Sequence, residues 1–99
     1  MEGMILSRPT KCRRVCRFPE TLEFFTMGET LGEPVILTVD EYETIRLIDK
    51  EGFSQEECGT QLGVGRTTVQ KIYETARRKI ADALVLGRSL RIEGGDFYL

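Results

Sequence analysis

The segment FSQEECGTQLGVGRTTVQKIYETARRKI, residues 53–80, has the pattern of two helices joined by a short turn. Ser54 and Glu57 form an S-x-x-E capping box, in which each side chain accepts a hydrogen bond from a backbone N–H at a helix start. Gly63 and Gly65 allow a sharp turn, because glycine adopts the positive φ angles at which helices often end. The pattern therefore predicts one helix on each side of this turn.

The second predicted helix begins at Arg66 and has two chemically different faces. Its apolar residues recur at helical period and form one stripe, made of Val69, Ile72, Tyr73, Ala76, Ile80 and Ala83. The opposite face carries Thr67, Gln70, Lys71, Glu74 and Arg78, with Arg66 and Arg77 on one flank. We expect the stripe to face the core and the polar face to meet solvent or a partner.

Gly59 lies inside the first predicted helix, where glycine is disfavoured by about 1 kcal/mol relative to alanine. Its place four residues before the turn indicates that the second helix passes close to it. This combination is typical of a DNA-binding helix-turn-helix. A helical hairpin that only builds a core or binds another protein would share the pattern, because fold alone does not decide function.

The charges are segregated along the 99 residues, although the net charge is only −2. Residues 1–19 carry five cations and one carboxylate, residues 20–57 carry two cations and eleven carboxylates, and residues 58–99 carry seven cations and four carboxylates. Basic ends around an acidic middle suit a protein that presents one positive face to phosphates. An ordinary mixed surface is the alternative, and the low isoelectric point is compatible with it.

Length and hydropathy predict one domain, because 99 residues supply a single modest core. No apolar stretch approaches the roughly 20 residues that span a bilayer, and the N-terminus lacks the pattern of a secretion signal. We expect a cytoplasmic protein without membrane contact.

The chain contains no histidine, which excludes Ser–His and Cys–His nucleophile pairs and histidine-ligated metals. Asp40, Glu41 and Glu43 stand at a predicted helix start, where the helix dipole and solvent account for them without catalysis. The Gly63–Gly65 turn lacks the lysine and the strand of a phosphate-binding loop. We therefore expect no enzyme and no cofactor.

Three cysteines, Cys12, Cys16 and Cys58, are one ligand short of a tetrahedral zinc site. We expect no metal. A redox role for Cys12 and Cys16 stays open beside the simpler reading of inert thiols in a reducing cytosol.

Three parts of the chain are expected. Residues 1–37 form a basic arm, broken by Pro9 and Pro19, followed by an extended segment in which Phe24 and Phe25 pack on the core. Residues 38–87 form the helix-turn-helix domain. Its supporting helix begins at a second capping box, formed by Thr38 and Glu41, and ends at Gly52. Its last helix ends at Gly87.

Residues 88–99 form a C-terminal tail or hairpin around a predicted turn at Gly94, Gly95 and Asp96. A lone hairpin is marginal in water. The tail could equally pair with a predicted strand at Val35–Leu37, in its own chain or in a second copy.

Two resemblances rest on these residues. The stretch from Leu37 to Leu84 resembles region 4 of sigma factors and related helix-turn-helix regulators. The whole chain resembles a family of small uncharacterised prokaryotic proteins predicted to bind DNA, through RPTKCRRV (8–15), DEYETIRLID (40–49), GFSQEE (52–57), LGVGRTTVQKI (62–72), ARRKIADAL (76–84) and RIEGG (91–95). The chain departs from related motifs at Gly65, where serine often caps the helix, and at Gly59, where alanine is common.

These observations predict a mainly α fold. Its three-helix core contains a helix-turn-helix that is sigma region 4-like, with a recognition helix like that of the winged-helix superfamily and short β segments at the N- and C-terminal edges. The expected function is sequence-specific binding of double-stranded DNA as a transcriptional regulator, with the helix at Arg66 in the major groove. The alternative is an adaptor that docks on the transcription machinery without touching DNA.

The expected DNA-contacting side chains lie on the recognition helix and in the arm. Arg66, Thr67, Gln70 and Lys71 are candidates for base edges and nearby phosphates. Phosphate contacts are expected from Thr68, Arg77 and Arg78. The arm residues could follow the DNA backbone or enter a minor groove; they are Arg8, Lys11, Arg13 and Arg14. Because one such module binds weakly alone, we expect a homodimer or a higher homo-oligomer.

Overall fold

A computed structural model describes residues 13–28 and 32–99 of the chain. Arg8, Lys11 and Cys12 lie outside these residues, so the part of the arm that precedes Arg13 is not described. Within the described ranges there are three helices and five short strands: β1 (Arg13–Arg14), β2 (Glu23–Phe24), β3 (Val35–Leu37), α1 (Val39–Ile45), α2 (Gln55–Leu62), α3 (Arg66–Leu86), β4 (Leu90–Ile92) and β5 (Phe97–Tyr98).

Both predicted capping boxes are present. At the start of α1, Thr38 Oγ1 accepts from the Glu41 N–H at 3.4 Å, and Glu41 Oε1 accepts from the Thr38 N–H at 2.9 Å. At the start of α2, the two corresponding bonds between Ser54 and Glu57 measure 3.0 and 2.8 Å. These bonds satisfy N–H groups that have no partner inside the helix, which explains why both helices begin where the sequence predicts.

The helix that begins at Val39 widens before it ends. Residues Arg46–Lys50 form a π-helical turn, closed by the Glu51 N–H donating to the Arg46 carbonyl at 2.9 Å. Gly52 then reverses the chain at a φ of +85°. The predicted end of the helix is confirmed, whereas nothing in the sequence predicted the π turn.

The turn between α2 and α3 has the predicted positive φ at Gly63, whereas Gly65 is extended, at a φ of −76°. Gly63 ends α2 at a φ of +78°, with its N–H donating to the Gly59 carbonyl at 2.8 Å. Gly87 ends α3 at a φ of +68°. Of the predicted apolar stripe of α3, Val69, Ile72, Ala76 and Ala83 are buried and Tyr73 and Ile80 are partly buried.

Gly59 is buried at the crossing of α2 and α3. A Cβ atom at this position would lie 2.7 Å from the Val64 carbonyl oxygen and 3.3 Å from Val69 Cγ2. The sequence prediction that the second helix passes close to Gly59 is therefore confirmed, and the first contact is with backbone, which cannot rotate away.

We expect Gly59→Ala to lower the free energy of unfolding by about 1–2 kcal/mol, because overpacking of about 1–3 kcal/mol outweighs the better helix propensity of alanine. Chemical denaturation of the wild type and the variant measures the difference. Thr60→Ala, at an exposed position of the same helix, is the control and should change stability by less than about 0.5 kcal/mol. A Gly59→Ala protein as stable as the wild type would contradict the close crossing.

The strands form two small sheets in the described residues. β4 lies in the centre of one sheet, antiparallel to β2 and parallel to β3, and β1 pairs with β5 in parallel in the other. Residues 88–99 therefore do not fold back as the predicted hairpin. Instead, β4 takes the alternative pairing with Val35–Leu37 of its own chain, because this places Leu37 and Ile92 in the core.

Two apolar clusters hold the described residues together. The larger one joins the strands to α1 and α3, and the smaller one joins α2 to α3 and to the π turn. The larger consists of Val15, Leu37, Val39, Ala76 and Ile92, and the smaller of Leu47, Cys58, Leu62 and Val69.

Two predictions about residues 1–37 are wrong. Residues 13–19 are not an unpacked arm, because Val15 is 1% exposed in the larger cluster and β1 is paired with β5. Phe24 and Phe25 do not pack on the core, since they are 52% and 74% exposed. β2 is bound to the sheet through its backbone, which leaves these rings outside.

Candidate nucleic-acid interface

The exposed side of α3 from Arg66 to Arg78 presents a polar surface. Arg66, Thr67, Gln70, Lys71 and Arg78 are exposed, and Thr68 is partly exposed. In residues 13–28 and 32–99, no carboxylate lies within ion-pair distance of Arg66, Lys71 or Arg78. The first turn of α3 carries no acidic residue, and its N-cap is Gly65, whose lack of a side chain leaves the helix start open. The surface thus combines exposed cations with the positive end of a helix dipole.

Arg77 is more constrained than the other cations of α3. Its Nε lies 3.6 Å from Asp49 Oδ2, and its guanidinium lies 5.3 Å from the centre of the Tyr73 ring. The Tyr73 hydroxyl donates to Asp49 Oδ1 at 2.7 Å, and this hydrogen bond raises the pKa of Tyr73. Arg77 keeps 62% of its side chain exposed. Asp49 and the Tyr73 ring are therefore its neighbours on one side, and solvent is on the other. Glu74, one turn earlier in α3, is an exposed carboxylate.

The two described cations of the predicted arm, Arg13 and Arg14, differ in burial and in their partners. Arg13 points into the fold, 3.9 Å from Asp40 Oδ2 and 3.6 Å from Asp96 Oδ2, with 18% of its side chain exposed. Its position does not support the predicted phosphate contact. Arg14 is exposed, and its Nε donates to the Gln61 carbonyl at 2.9 Å, which ties β1 to the last turn of α2.

The carboxylates of α1 are structural residues that the sequence interpretation missed. Asp40, Glu41 and Glu43 are buried, with Glu43 at 0% exposure, so solvent does not account for them. Glu43 accepts two hydrogen bonds of 2.9 Å from the Arg46 guanidinium and one of 3.0 Å from the Cys16 N–H. The i,i+3 spacing of Glu43 and Arg46 was the available signal.

Glu41 connects α1 to α3. Its Oε1 lies 2.8 Å from Lys79 Nζ, and both side chains are largely covered. Lys79 therefore belongs to the packed side of α3. Each acid of α1 thus binds a cation of another element. Asp40 pairs with Arg13 of β1, Glu41 with Lys79 of α3, and Glu43 with Arg46 of the π turn.

The cysteines show no shared site in the described residues. Cys58 is buried, and burial together with the nearby Glu43 carboxylate raises the pKa of its thiol to about 11. Cys16 is exposed, and its sulfur accepts from Gln61 Nε2 at 2.6 Å. Among the side chains that the structure describes, no three Cys, Asp or Glu residues are grouped to hold a metal. No described helix is both long and apolar enough to cross a membrane.

Comparison with known proteins identifies relatives over nearly the whole chain. The chain is 53% identical over 96 residues to a UPF0251 protein of Desulfitobacterium hafniense, covering 95% of this chain and 77% of the relative. It is 47% identical over 92 residues to one from Caldicellulosiruptor saccharolyticus, covering 93% and 66% respectively. It is 46% identical over 96 residues to one from Moorella thermoacetica, covering 95% and 64% respectively.

No solved structure matches the chain. The family model described as "Protein of unknown function DUF134" matches residues 4–99. The chain therefore belongs to the DUF134 family, whose relatives are named UPF0251 proteins.

Proposed function

We propose that this protein binds double-stranded DNA in a sequence-specific manner and regulates transcription in the cytoplasm. In this proposal α2 and α3 form a helix-turn-helix similar to that of sigma factor region 4. The observation that carries it is the polar face of α3, on which Arg66, Lys71 and Arg78 are exposed without a carboxylate partner among the described residues. A helix with this surface fits the major groove, which is wide enough to admit it.

The roles of the side chains follow from their order along α3. Arg66, Thr67 and Gln70 lie in the first turns, which reach deepest into the groove in helix-turn-helix proteins. Arginine binds guanine edges and glutamine binds adenine edges through paired hydrogen bonds. Lys71 and Arg78 lie one and three turns further from the helix start and contact phosphates, whereas Thr68 donates to a phosphate at the open N-terminus.

Other cations support this surface in different ways. Arg14 can contact a phosphate while its Nε keeps the bond to α2. Arg77 contributes less, because Asp49 already offsets its charge. With about four phosphate contacts per copy, the logarithm of the binding constant should fall with the logarithm of the salt concentration at a slope of about −3 to −4.

We expect Arg66→Ala and Lys71→Ala each to weaken DNA binding by about 1–3 kcal/mol and to leave thermal stability unchanged, since both side chains are exposed. Genomic fragments selected by the purified protein supply the DNA, and fluorescence anisotropy at several salt concentrations measures affinity. Lys71→Ala should also make the salt slope less steep by about 1, as expected for one lost phosphate contact.

Two control variants separate this proposal from a general charge effect. Arg91→Gln removes one cation from β4, where it is paired with Glu23 at 2.7 Å, and should leave both affinity and salt slope unchanged. Glu74→Gln removes a carboxylate from the polar face of α3 and should leave binding equal or tighter. Binding that is independent of salt, or an equal loss in all four variants, would contradict the proposal and favour a protein-docking adaptor.

A further inference from the structure

An exposed apolar surface lies at the opposite end of α3 from the polar face. We call it the end patch and define it as Phe24, Phe25, Leu84, Val85 and Leu86. The last three are consecutive and 78%, 80% and 49% exposed. Because successive helical residues point about 100° apart, Leu84 lies beside Phe24 and Phe25, whereas Val85 and Leu86 continue the apolar surface around the last turn of α3. Such a turn is normally covered by other protein.

The two rings of the end patch lie beside this helical turn. Phe24 and Phe25 line one groove together with Ile80, Ala83, Leu84 and Gly87. With about 200 Å² for a fully exposed phenylalanine and about 160 Å² for a fully exposed leucine or valine, the exposed fractions of the five residues sum to about 600 Å², backbone atoms included. A standard interface covers about 800 Å² per partner, of which about 65% is apolar in homodimers. The end patch thus reaches the size of one side of a homodimer when the partner covers the last turn of α3 from more than one direction as well as the two rings.

The geometry points to a second copy of this chain as the partner, docked through the end patch about a two-fold axis. The edge of the sheet supports this, because β2 is a terminal strand whose one neighbour in the described sheet is β4. A two-fold axis brings two such edges together in antiparallel order, which is a standard way to satisfy their free backbone groups. Charges of both signs also lie near the patch, in Asp82 and Arg88, which allows the rims of two copies to pair.

A dimer of this kind also suits the proposed DNA binding, although the inference of a dimer does not rest on DNA binding. Gln70 and Leu84 are 14 residues apart on α3, or about 21 Å at 1.5 Å per residue. Two helices that meet at Leu84 therefore place their reading ends up to about 42 Å apart. An angle of about 110° between them reduces this separation to about 34 Å, one turn of DNA.

Sedimentation equilibrium of the wild type and three variants tests the inference. The wild type should sediment at twice the monomer mass of 11.3 kDa. Leu84→Glu and Phe25→Glu should each raise the dimer dissociation constant by about 1000-fold, because each change counts twice across a two-fold axis and buries a charge in an apolar contact. Thr75→Glu introduces the same charge at an exposed site of α3 outside the patch and should remain dimeric.

Circular dichroism melts check that all three variants are folded. Even weak interfaces associate at about 200 µM. A wild type that stays monomeric at this concentration overturns the inference, and the end patch would then be covered by residues 1–12 or by another protein. A dimer that neither patch variant disrupts overturns it as well.

DNA binding by the same variants separates this inference from the proposed function. If both hold, Leu84→Glu should keep weak, salt-dependent binding to a half-site and lose the tighter binding to a two-fold site. A patch-dependent dimer that binds no DNA would remove only the proposed function. A wild-type monomer that binds DNA through Lys71 would remove only the dimer.

Discussion

Replacement of Glu43 by alanine is expected to lower the free energy of unfolding by about 3 kcal/mol. Glu43 has no exposed surface and accepts both hydrogen bonds from Arg46 as well as the Cys16 N–H. Breaking a buried ion pair from one side costs about 3–5 kcal/mol, because the remaining charge loses its partner. We expect the lower end of this range because Arg46 is not left entirely without a partner in the variant. Its guanidinium still lies 3.6 Å from the Glu51 carboxylate, and 15% of its side chain is exposed to solvent.

Chemical denaturation of three further variants checks the cause of this loss. Glu51→Ala removes the exposed partner of Arg46 and should cost less than about 1 kcal/mol, as exposed pairs do. Adding Arg46→Met to Glu43→Ala should restore part of the stability, because no unpaired charge is left. If Glu51→Ala costs as much as Glu43→Ala, or if the double variant is the least stable, burial of the pair is not the cause.

Local signals in the sequence predicted the helices well, because their causes lie within a few residues. The capping boxes at Thr38 and Ser54 and the stop at Gly87 depend on neighbouring backbone groups, and all are confirmed. The apolar stripe of α3 is equally local, since helical period alone decides which residues share a face. The polar face of α3 was predictable for the same reason.

Contacts between distant residues were not predictable from the same signals. Glu41 and Lys79 are 38 residues apart, and no rule of spacing pairs them, so the α1 acids looked like solvated charges. Phe24 and Phe25 were placed in the core because their side chains are apolar, yet strand pairing keeps them outside. The pairing of β4 with β3 likewise depends on which surfaces the helices leave free.

Replacement of Gly95 by alanine is the second change expected to have a large effect, with a loss of about 2–5 kcal/mol in the free energy of unfolding. Gly95 has a φ of +106°, and a residue with a Cβ atom is strained by about 1–2 kcal/mol at positive φ. The added Cβ would also overlap Asp40 Oδ1 and lie 2.8 Å from Thr38 Cβ. Overpacking of this kind costs a further 1–3 kcal/mol, roughly.

Gly94→Ala separates these two contributions, because the positions are adjacent. Gly94 also has a positive φ, of +75°, but no described atom lies within 4 Å of its Cβ position. Its replacement should therefore cost only the backbone strain of about 1–2 kcal/mol. Equal losses at both positions would show that strain alone acts. A larger loss at Gly95 would show that this turn must approach Thr38 and Asp40 closely. At the same place the Val39 N–H donates to the Gly94 carbonyl at 3.0 Å, which ties the C-terminal tail to α1.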